Sequence, residues 1–308
     1  MKKTILTLTA MMAFCLGADA QYIMKITKAD GDVITLNADD VASVTFEQSG
    51  DEQEGTTYTG WVNAGSAYFS CMVNNGDKIT VSENGDGSVN VIYAGNTWGN
   101  GIFENVSVTQ SAEGITLGET EGKLTMAGHG GVKEYDAILK SATISADQKT
   151  VTAEISVPSV MGGTTIEFQQ GIAPLAKIFA KATKLGGWSD ASSAYFQGMA
   201  SANDTITITA VDDSSLTVEL KSETWGEAKF ENVPATVTAE GYALNGEVES
   251  TILMPGMGGG EPKSYAVTLK SGSIAATLDE FAVTFNAPAV MGGTTIEFQD
   301  GETPASEE

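Results

Sequence analysis

The side chains best suited to contact a ligand are six aromatic residues that occur as three pairs. Each pair is separated by the same 127 positions (188 − 61), and the pairs are Trp61 and Trp188, Tyr68 and Tyr195, and Trp98 and Trp225. Large aromatic side chains line concave sites, where they stack on sugar rings or pack on apolar ligands. They fill cores equally well. Two interpretations therefore stay open: a binding site at the mouth of a fold, or packing inside it or at one plugged end.

Catalytic chemistry has little support in the sequence. His129 is the one histidine, and the corresponding segment of the second copy, Met254 to Lys263, contains none. A nucleophilic site needs a base, and a zinc or haem site needs ligands that one histidine cannot supply. We therefore predict that His129 lies in an exposed loop, and that the protein has no catalytic residue, no bound metal and no cofactor.

Acidic residues are abundant, so adjacent carboxylates carry little information. Asp39-Asp40 and Asp212-Asp213 occur in predicted turns, whereas a glycosidase needs two acids that face each other across a cleft. The segment Asn84-Gly-Asp-Gly87 lacks the full set of calcium ligands and is typical of a hairpin turn. A hydrolase on a β scaffold remains the weakest of the functional alternatives.

A duplication organises most of the chain. The stretch Pro158 to Gln169 returns as Pro288 to Gln299 with one change, Ser159 to Ala289. Each copy combines a Gly-Gly turn with a strand of alternating polarity, as if this strand closes a unit. A period this long indicates duplicated domains rather than a solenoid.

The dominant period within each copy is two, which is typical of antiparallel strands with one buried face. Val89, Val91 and Tyr93 show it in the first copy, and Leu216, Val218 and Leu220 in the second. About eight to ten short strands per copy favour a closed barrel or a sandwich. We predict an all-β protein with two tandem antiparallel β-barrels of about eight strands each, preceded by a small N-terminal β-hairpin unit.

The chain divides into six predicted segments. Between the barrels, Leu175, Ile178, Phe179 and Ala182 have helical spacing, although the opening strand of the second copy is an alternative. The predicted segments are a signal peptide (1–20), a hairpin segment with a third strand at Val41 to Phe46 (21–50), barrel 1 (56–171), a linker with a short helix (172–182), barrel 2 (183–301) and an acidic tail (302–308).

The N-terminus predicts export. Lys2-Lys3 precede an apolar run, and Ala18-Asp-Ala20 is typical of a cleavage site. Lipoprotein anchoring at Cys15 is disfavoured because the bulky Phe14 stands where a small residue is expected. The mature chain keeps Cys71, which has no disulfide partner and is predicted to be a buried, inert thiol.

The charge disfavours two classes of partner. The chain has 40 acidic residues against 16 basic ones, for a net charge of −24. Such a protein repels phosphates and anionic headgroups, which disfavours nucleic acid and anionic membrane surfaces as partners. The apolar run of the predicted signal peptide is too short to span a membrane.

The two copies, each ending in a Gly-Gly-Thr-Thr-Ile-Glu-Phe strand after an exported N-terminus, resemble the tandem calycin-like β-barrel domains of secreted bacterial proteins. The resemblance implies an eight-stranded antiparallel barrel related to lipocalins and similar small-ligand binders, and it brings no established activity. Gly60-Trp61 and Gly187-Trp188 come close to the Gly-x-Trp signature of lipocalins but lack the spacer residue. The arginine that partners that tryptophan is absent, since the chain has no arginine.

These observations lead to one main hypothesis and one rival. The main hypothesis is an exported, non-enzymatic binding protein that holds a small hydrophobic or glycan ligand at the tryptophan-rich ends of its barrels. The rival is a structural or adhesive surface protein whose barrels are solid and have no pocket.

Overall fold

The computed structural model describes residues 23–27, 33–37, 55–128, 131–256 and 260–303. The predictions for the signal peptide, Cys15, the strand at Val41 to Phe46 and His129 lie outside the described residues. The chain divides into two units, Met1–Glu52 and Gln53–Glu308. In the first unit, β1 (Ile23–Thr27) pairs antiparallel with β2 (Val33–Asn37).

The first barrel is a closed ring of eight antiparallel strands. Its strands follow chain order around the ring, and β12 closes the barrel by pairing with β3. An extra hairpin, β7 (Val108–Ser111) and β8 (Gly114–Leu117), pairs with β10. The barrel strands are β3 (Thr56–Gly65), β4 (Met72–Glu83), β5 (Val89–Gly95), β6 (Gly99–Val106), β9 (Thr120–Gly128), β10 (Gly131–Ser145), β11 (Val151–Val157) and β12 (Thr164–Gln170).

The second barrel repeats this arrangement, with β21 closing the ring against β13. A short strand, β17 (Gly241–Leu244), pairs with both β16 and β19. The barrel strands are β13 (Thr183–Ser192), β14 (Met199–Ala210), β15 (Ser215–Ser222), β16 (Gly226–Val237), β18 (Val248–Met254), β19 (Lys263–Ala275), β20 (Phe281–Ala287) and β21 (Thr294–Gln299). The predicted all-β fold with two tandem eight-stranded barrels is confirmed.

Alternation along the strands builds the cores. In β5, Val89, Val91 and Tyr93 are buried while the residues between them are partly or fully exposed. An eight-stranded barrel has an interior just wide enough for side chains to fill. Residues that are almost fully buried, among them Phe103 and Leu139 in barrel 1 and Phe230 and Phe285 in barrel 2, fill these interiors.

The hairpin predicted at Asn84 to Gly87 joins β4 to β5. The amide of Asn84 donates to the carbonyl of Ser88, and the Asp86 carboxylate accepts hydrogen bonds from the amide and hydroxyl of Ser88. These contacts hold the Asp86 pKa below its usual range. The carboxylate is thus occupied by its own turn, as expected of a plain hairpin.

The segment between the barrels contains a short helix, and the opening strand of barrel 2 follows it. A helix, α1, covers only Leu175–Ile178, and β13 already begins at Thr183. Leu175 and Phe179 are fully buried in the core of barrel 2, and Phe179 packs edge-on against Tyr242 at a ring distance of 5.2 Å. The helical spacing is therefore explained largely by two side chains that close barrel 2.

The side-chain amide of Asn75 connects the two barrels. Its Nδ2 donates to the Tyr242 hydroxyl and to the Ala276 carbonyl, both at 2.9 Å, and its Oδ1 accepts from the Ala173 amide at 2.8 Å. Tyr242 in turn donates to the Ala173 carbonyl at 3.0 Å, and burial raises the pKa of Tyr242 to about 12. Because the equivalent position in barrel 2 is the exposed Ala202, Asn75 serves the junction rather than the barrel.

Candidate functional site

One end of each barrel gathers four strand connections, and we call it the loop end. In barrel 2 these connections join β13 to β14, β15 to β16, β18 to β19, and β20 to β21. In barrel 1 they join β3 to β4, β5 to β6, β9 to β10, and β11 to β12. In antiparallel rings of this order, alternate connections lie at the same end.

A buried tryptophan stands at the loop end of each barrel. Trp98 and Trp225 are each 3% exposed. Trp98 stacks on Phe69 with ring centres 5.7 Å apart, and Trp225 stacks on Phe196 at 6.0 Å. The two predicted tryptophans therefore occupy equivalent places, each as half of a stacked aromatic pair.

The tyrosines next to these phenylalanines face the solvent. Tyr68 and Tyr195 are both 80% exposed. A serine holds each loop in shape, since the Ser66 hydroxyl accepts from the Tyr68 amide at 3.1 Å and the Ser193 hydroxyl accepts from the Tyr195 amide at 3.0 Å. Each Ser-Ala-Tyr-Phe loop thus tucks its phenylalanine against the tryptophan and presents its tyrosine outward.

The Met-Gly-Gly turns complete the loop end. Met161 and Met291 have φ angles of 47° and 46°, and the two glycines that follow each of them also have positive φ. A bulky residue in this left-handed region is uncommon and strained, whereas glycine adopts it freely. The duplicated chain keeps methionine at this strained position, which points to a use for the side chain.

The loop end of barrel 2 encloses a pocket of about 660 Å³. Trp225 and Met254 are its most deeply buried lining residues, and Met199, Val290 and Met291 contribute further apolar surface. The charged lining residues are Glu223, Glu261 and Lys263. Such a volume matches a small-molecule site, which is typically apolar with a few polar groups.

The indole nitrogens of both buried tryptophans lack partners. Within the part of the chain that the structure describes, neither Trp98 Nε1 nor Trp225 Nε1 has a hydrogen-bond partner. An unpaired buried donor costs roughly 1–3 kcal/mol, so most buried donors are satisfied. Each tryptophan thus keeps an unsatisfied donor at the loop end, and Trp225 is also a lining residue of the pocket.

A buried carboxylate supports the tryptophan turn of barrel 2 through two serines. Asp204, fully buried, accepts hydrogen bonds from the Ser189 hydroxyl and from the Ser201 hydroxyl, the latter at 3.0 Å. Ser201 lies 3.3 Å from the hydroxyl of Ser222, which accepts from the Trp225 amide at 3.0 Å. This chain of contacts fixes the backbone that carries Trp225.

In barrel 1 the equivalent carboxylate, Asp77, reaches the tryptophan turn directly. It accepts hydrogen bonds from the Tyr93 hydroxyl at 2.5 Å, from Asn74 Nδ2 at 2.9 Å and from the Asn96 amide at 3.2 Å. Burial raises the pKa of Asp77 above its usual value, and these three donors oppose the rise. Burial and the neighbouring Asp77 also raise the pKa of Tyr93.

The raised pKa of Asp77 predicts a pH-dependent stability. The folded state binds this proton more tightly than the unfolded state, so the stabilisation is complete at low pH and is lost as pH rises through the folded-state pKa. We expect the unfolding free energy of the parent, relative to Asp77→Asn, to increase as pH falls from 7 towards 4. Urea unfolding of both proteins across this range measures the difference, because all other titrating groups are shared. A relative increase with rising pH would contradict the prediction.

The remaining predicted site residues, Trp61 and Trp188, lie away from the loop end. Trp61 lies within β3, where it pairs with Gln169 and Asn75, and it is 8% exposed. Trp188 is half-buried beside Gly301 to Thr303, the segment that follows β21. The structure thus separates the six aromatic residues into four at the loop ends and two on the strands.

Sequence reasoning missed the methionines. Six of them occupy equivalent positions at or beside the two loop ends: Met72, Met126 and Met161 in barrel 1, and Met199, Met254 and Met291 in barrel 2. The alignment of the two copies contained this signal, because each of these methionines has a methionine as its counterpart.

The prediction of a buried Cys71 was wrong, since this free thiol beside Met72 is partly exposed.

The described residues lack two features, a metal-binding cluster and a membrane-spanning helix. These residues contain no group of three or more histidine, cysteine or acidic side chains that could hold a metal ion. They also contain no helix with the length and apolar character needed to cross a membrane.

No protein-family model and no curated protein matches this sequence. The chain is similar to the solved structure of a candidate outer membrane protein from Bacteroides fragilis, with 23% identity over 81% of this chain and 97% of that one and a TM-score of 0.41. It is also similar to transferrin binding protein B from Neisseria meningitidis, with 10% identity over 82% and 77% of the two chains and a TM-score of 0.27. At these scores the likenesses identify neither a family nor a ligand for this chain.

Proposed function

We propose that this chain is an exported, non-enzymatic binding protein that holds a small hydrophobic ligand at the loop end of barrel 2. The pocket lined by Trp225 and three methionines carries this proposal. Its lining is more apolar than polar, and three methionines contribute to it, which favours a hydrophobic ligand over a glycan with many hydroxyls.

The exposed tyrosines extend the proposed site. Tyr195 belongs to the same loop as Phe196, which stacks on Trp225, and it packs beside the turn glycine Gly292. Tyrosine offers a large contact area at a low cost in conformational entropy, which suits a residue that meets a partner. A glycan that stacks on Tyr195 is the second ligand class in this proposal, and the equivalent surface around Tyr68 would serve barrel 1.

The packed interiors of the two barrels favour the rival function, a structural or adhesive surface protein, in one respect. Side chains fill both barrels, so a deep cavity of the lipocalin type would have no room for a ligand. A structural or adhesive surface protein needs only such solid barrels. We favour ligand binding because the pocket lies at the barrel mouth, where filling of the interior does not close it.

A relationship to the calycin-like barrels is a further part of this proposal. Eight antiparallel strands in meander order support it, with one inserted hairpin in barrel 1 and one inserted strand in barrel 2. The glycines before Trp61 and Trp188 have a local cause, because a Cβ at Gly60 or Gly187 would lie 2.2 or 2.0 Å from a carbonyl of the closing strand. Close strand approach therefore accounts for the Gly-Trp pairs without a lipocalin signature.

Intrinsic tryptophan fluorescence tests the proposed site. We expect a saturable change when the protein is titrated with a panel of fatty acids, haem-like compounds and oligosaccharides, because Trp225 lines the pocket. Trp225→Phe keeps an aromatic ring against Phe196 but removes part of the apolar pocket wall, so we expect binding to weaken by about tenfold, a loss of roughly 1.4 kcal/mol.

The matched control is Trp188→Phe, which removes a tryptophan distant from the loop end and should leave the affinity unchanged. Affinities are read by calorimetry as well, so that loss of the fluorophore is not mistaken for loss of binding. If no compound on the panel binds the folded parent protein, the structural or adhesive function replaces the proposal.

A further inference from the structure

We propose that the thioether sulfurs of Met199, Met254 and Met291 bind a soft monovalent cation, Cu(I) or Ag(I), at the loop end of barrel 2. The equivalent residues Met72, Met126 and Met161 would form a second such site in barrel 1. This inference goes beyond the proposed function, since it does not require that a hydrophobic ligand binds the pocket.

The first argument for this metal site is the placement of the methionines. The three residues of barrel 2 line a single pocket but come from three different elements: the start of β14, the end of β18 and the β20–β21 turn. Valine, isoleucine, leucine and phenylalanine dominate the cores. If the pocket needed only apolar surface, those residues would serve as well, yet methionine occupies all three positions in both copies.

The second argument is the backbone strain in the two Met-Gly-Gly turns. Met161 and Met291 keep a left-handed φ at which glycine would be free of strain, and glycine already fills the next two positions of each turn. A side chain held there at an energetic cost is expected to have a use. Met161 is 53% exposed, so packing does not supply that use in barrel 1.

The third argument comes from the duplication, because several neighbouring positions have diverged between the two copies. Cys71 corresponds to Gly198, Asn96 to Glu223 and Ala127 to Pro255, whereas the adjacent methionines and tryptophans are unchanged. Alongside the Ser-Ala-Tyr-Phe loop and the Gly-Gly turn, the two loop ends therefore retain three thioethers and one indole. Thioether ligands select soft cations such as Cu(I) over Zn²⁺ or Mg²⁺.

Charge supports a cation in this place. Glu223 and Glu261 line the pocket of barrel 2, opposed by Lys263, and the chain as a whole carries a net charge of −24. Such a field concentrates cations near the surface. Trp225 adds an indole ring, whose face attracts cations and whose fluorescence reports their arrival.

Ag(I) tests the proposal without the reductant that Cu(I) would require. The full chain, with Cys15→Ser and Cys71→Ser throughout to remove both thiols, is titrated with Ag(I) while tryptophan fluorescence and bound silver are measured. We expect two equivalents to bind, and the triple variant Met199→Leu, Met254→Leu and Met291→Leu to bind one. The single variant Met254→Leu should weaken the barrel 2 site by at least about tenfold, as expected for loss of a metal ligand.

Leucine keeps the volume and apolar character of methionine, so this series separates the two proposals. Retained binding of a hydrophobic ligand with loss of silver supports the metal site. Binding of silver by the parent when no hydrophobic ligand binds would leave the metal site intact and reject only the proposed function.

X-ray absorption of the silver-loaded Cys15→Ser/Cys71→Ser protein provides a test that does not depend on the folding of any methionine variant. We expect a first shell of sulfur atoms. A shell of oxygen or nitrogen atoms, or an unchanged stoichiometry in the folded triple variant, would overturn the proposal.

Discussion

Gly226→Ala should destabilise barrel 2 by about 3 kcal/mol or more. Gly226 has a φ of +88°, and a Cβ at this position would lie 1.9 Å from the Leu253 carbonyl oxygen. An L-residue in the left-handed region costs about 1–2 kcal/mol, and forcing two strands apart adds about 1–3 kcal/mol. Urea unfolding of the variant and the parent measures the loss.

The position of Gly226 links this prediction to the site. It follows Trp225 directly, and its closest contacts are the backbone atoms of Leu253 and Met254. Displacement of this contact would therefore move the indole relative to one of the pocket methionines. Gly99 repeats the geometry in barrel 1, with a Cβ position 1.9 Å from the Thr125 carbonyl oxygen, so Gly99→Ala should have a similar effect there.

Gly85→Ala is the matched control. Gly85 lies in the β4–β5 turn, has no positive φ, and a Cβ there would meet no atom within 4 Å. Its substitution should change the unfolding free energy by no more than about 0.5 kcal/mol. Equal stability of the Gly226→Ala and Gly85→Ala proteins would show that the close approach of β16 and β18 is wrong.

Asn75→Ala should uncouple the two barrels. The substitution removes three hydrogen bonds at the junction and leaves the buried Ala173 amide without its acceptor. A buried polar group that loses its partner costs roughly 1–3 kcal/mol, so we expect a loss of about 2–4 kcal/mol in total. Because the lost contacts join separate cores, calorimetry should resolve a broader or two-step transition.

A half-buried asparagine within barrel 1 provides the comparison for this experiment. Asn63 donates one hydrogen bond to Glu167 at 3.1 Å within barrel 1, and that contact is exposed. Asn63→Ala should leave the shape of the transition unchanged. If the Asn75→Ala protein melts in a single transition at the parent temperature, the amide does not couple the barrels.

The two barrels support their tryptophan turns with different hydrogen-bond networks. Both tryptophan turns rest on a buried aspartate, Asp77 or Asp204. In barrel 1 the carboxylate bonds the turn backbone itself, whereas in barrel 2 two serines extend its reach. The position of the aromatic pair at the loop end is common to the two barrels, although the residues that hold it have changed.

The sequence by itself determined the class of fold and the register of the two copies. Alternation with a period of two identifies strands with one buried face, and the repeated Gly-Gly-Thr-Thr-Ile-Glu-Phe segment marks the strand that closes each barrel against β3 or β13. These features are local or repeated along the chain, so they can be read without knowledge of contacts. The pairing of Trp98 with Trp225 as equivalent residues followed for the same reason.

Only the tertiary structure decided which of these residues meet. Trp61 and Trp98 look alike in sequence, but strand register places Trp61 within β3 and Trp98 in the turn at the loop end. The pocket around Trp225 gathers methionines from segments that lie up to 92 positions apart (291 − 199). Closure of the ring sets such distances, and no local pattern encodes them. The role of Asn75 was hidden likewise, because its partners belong to the linker and to the second barrel.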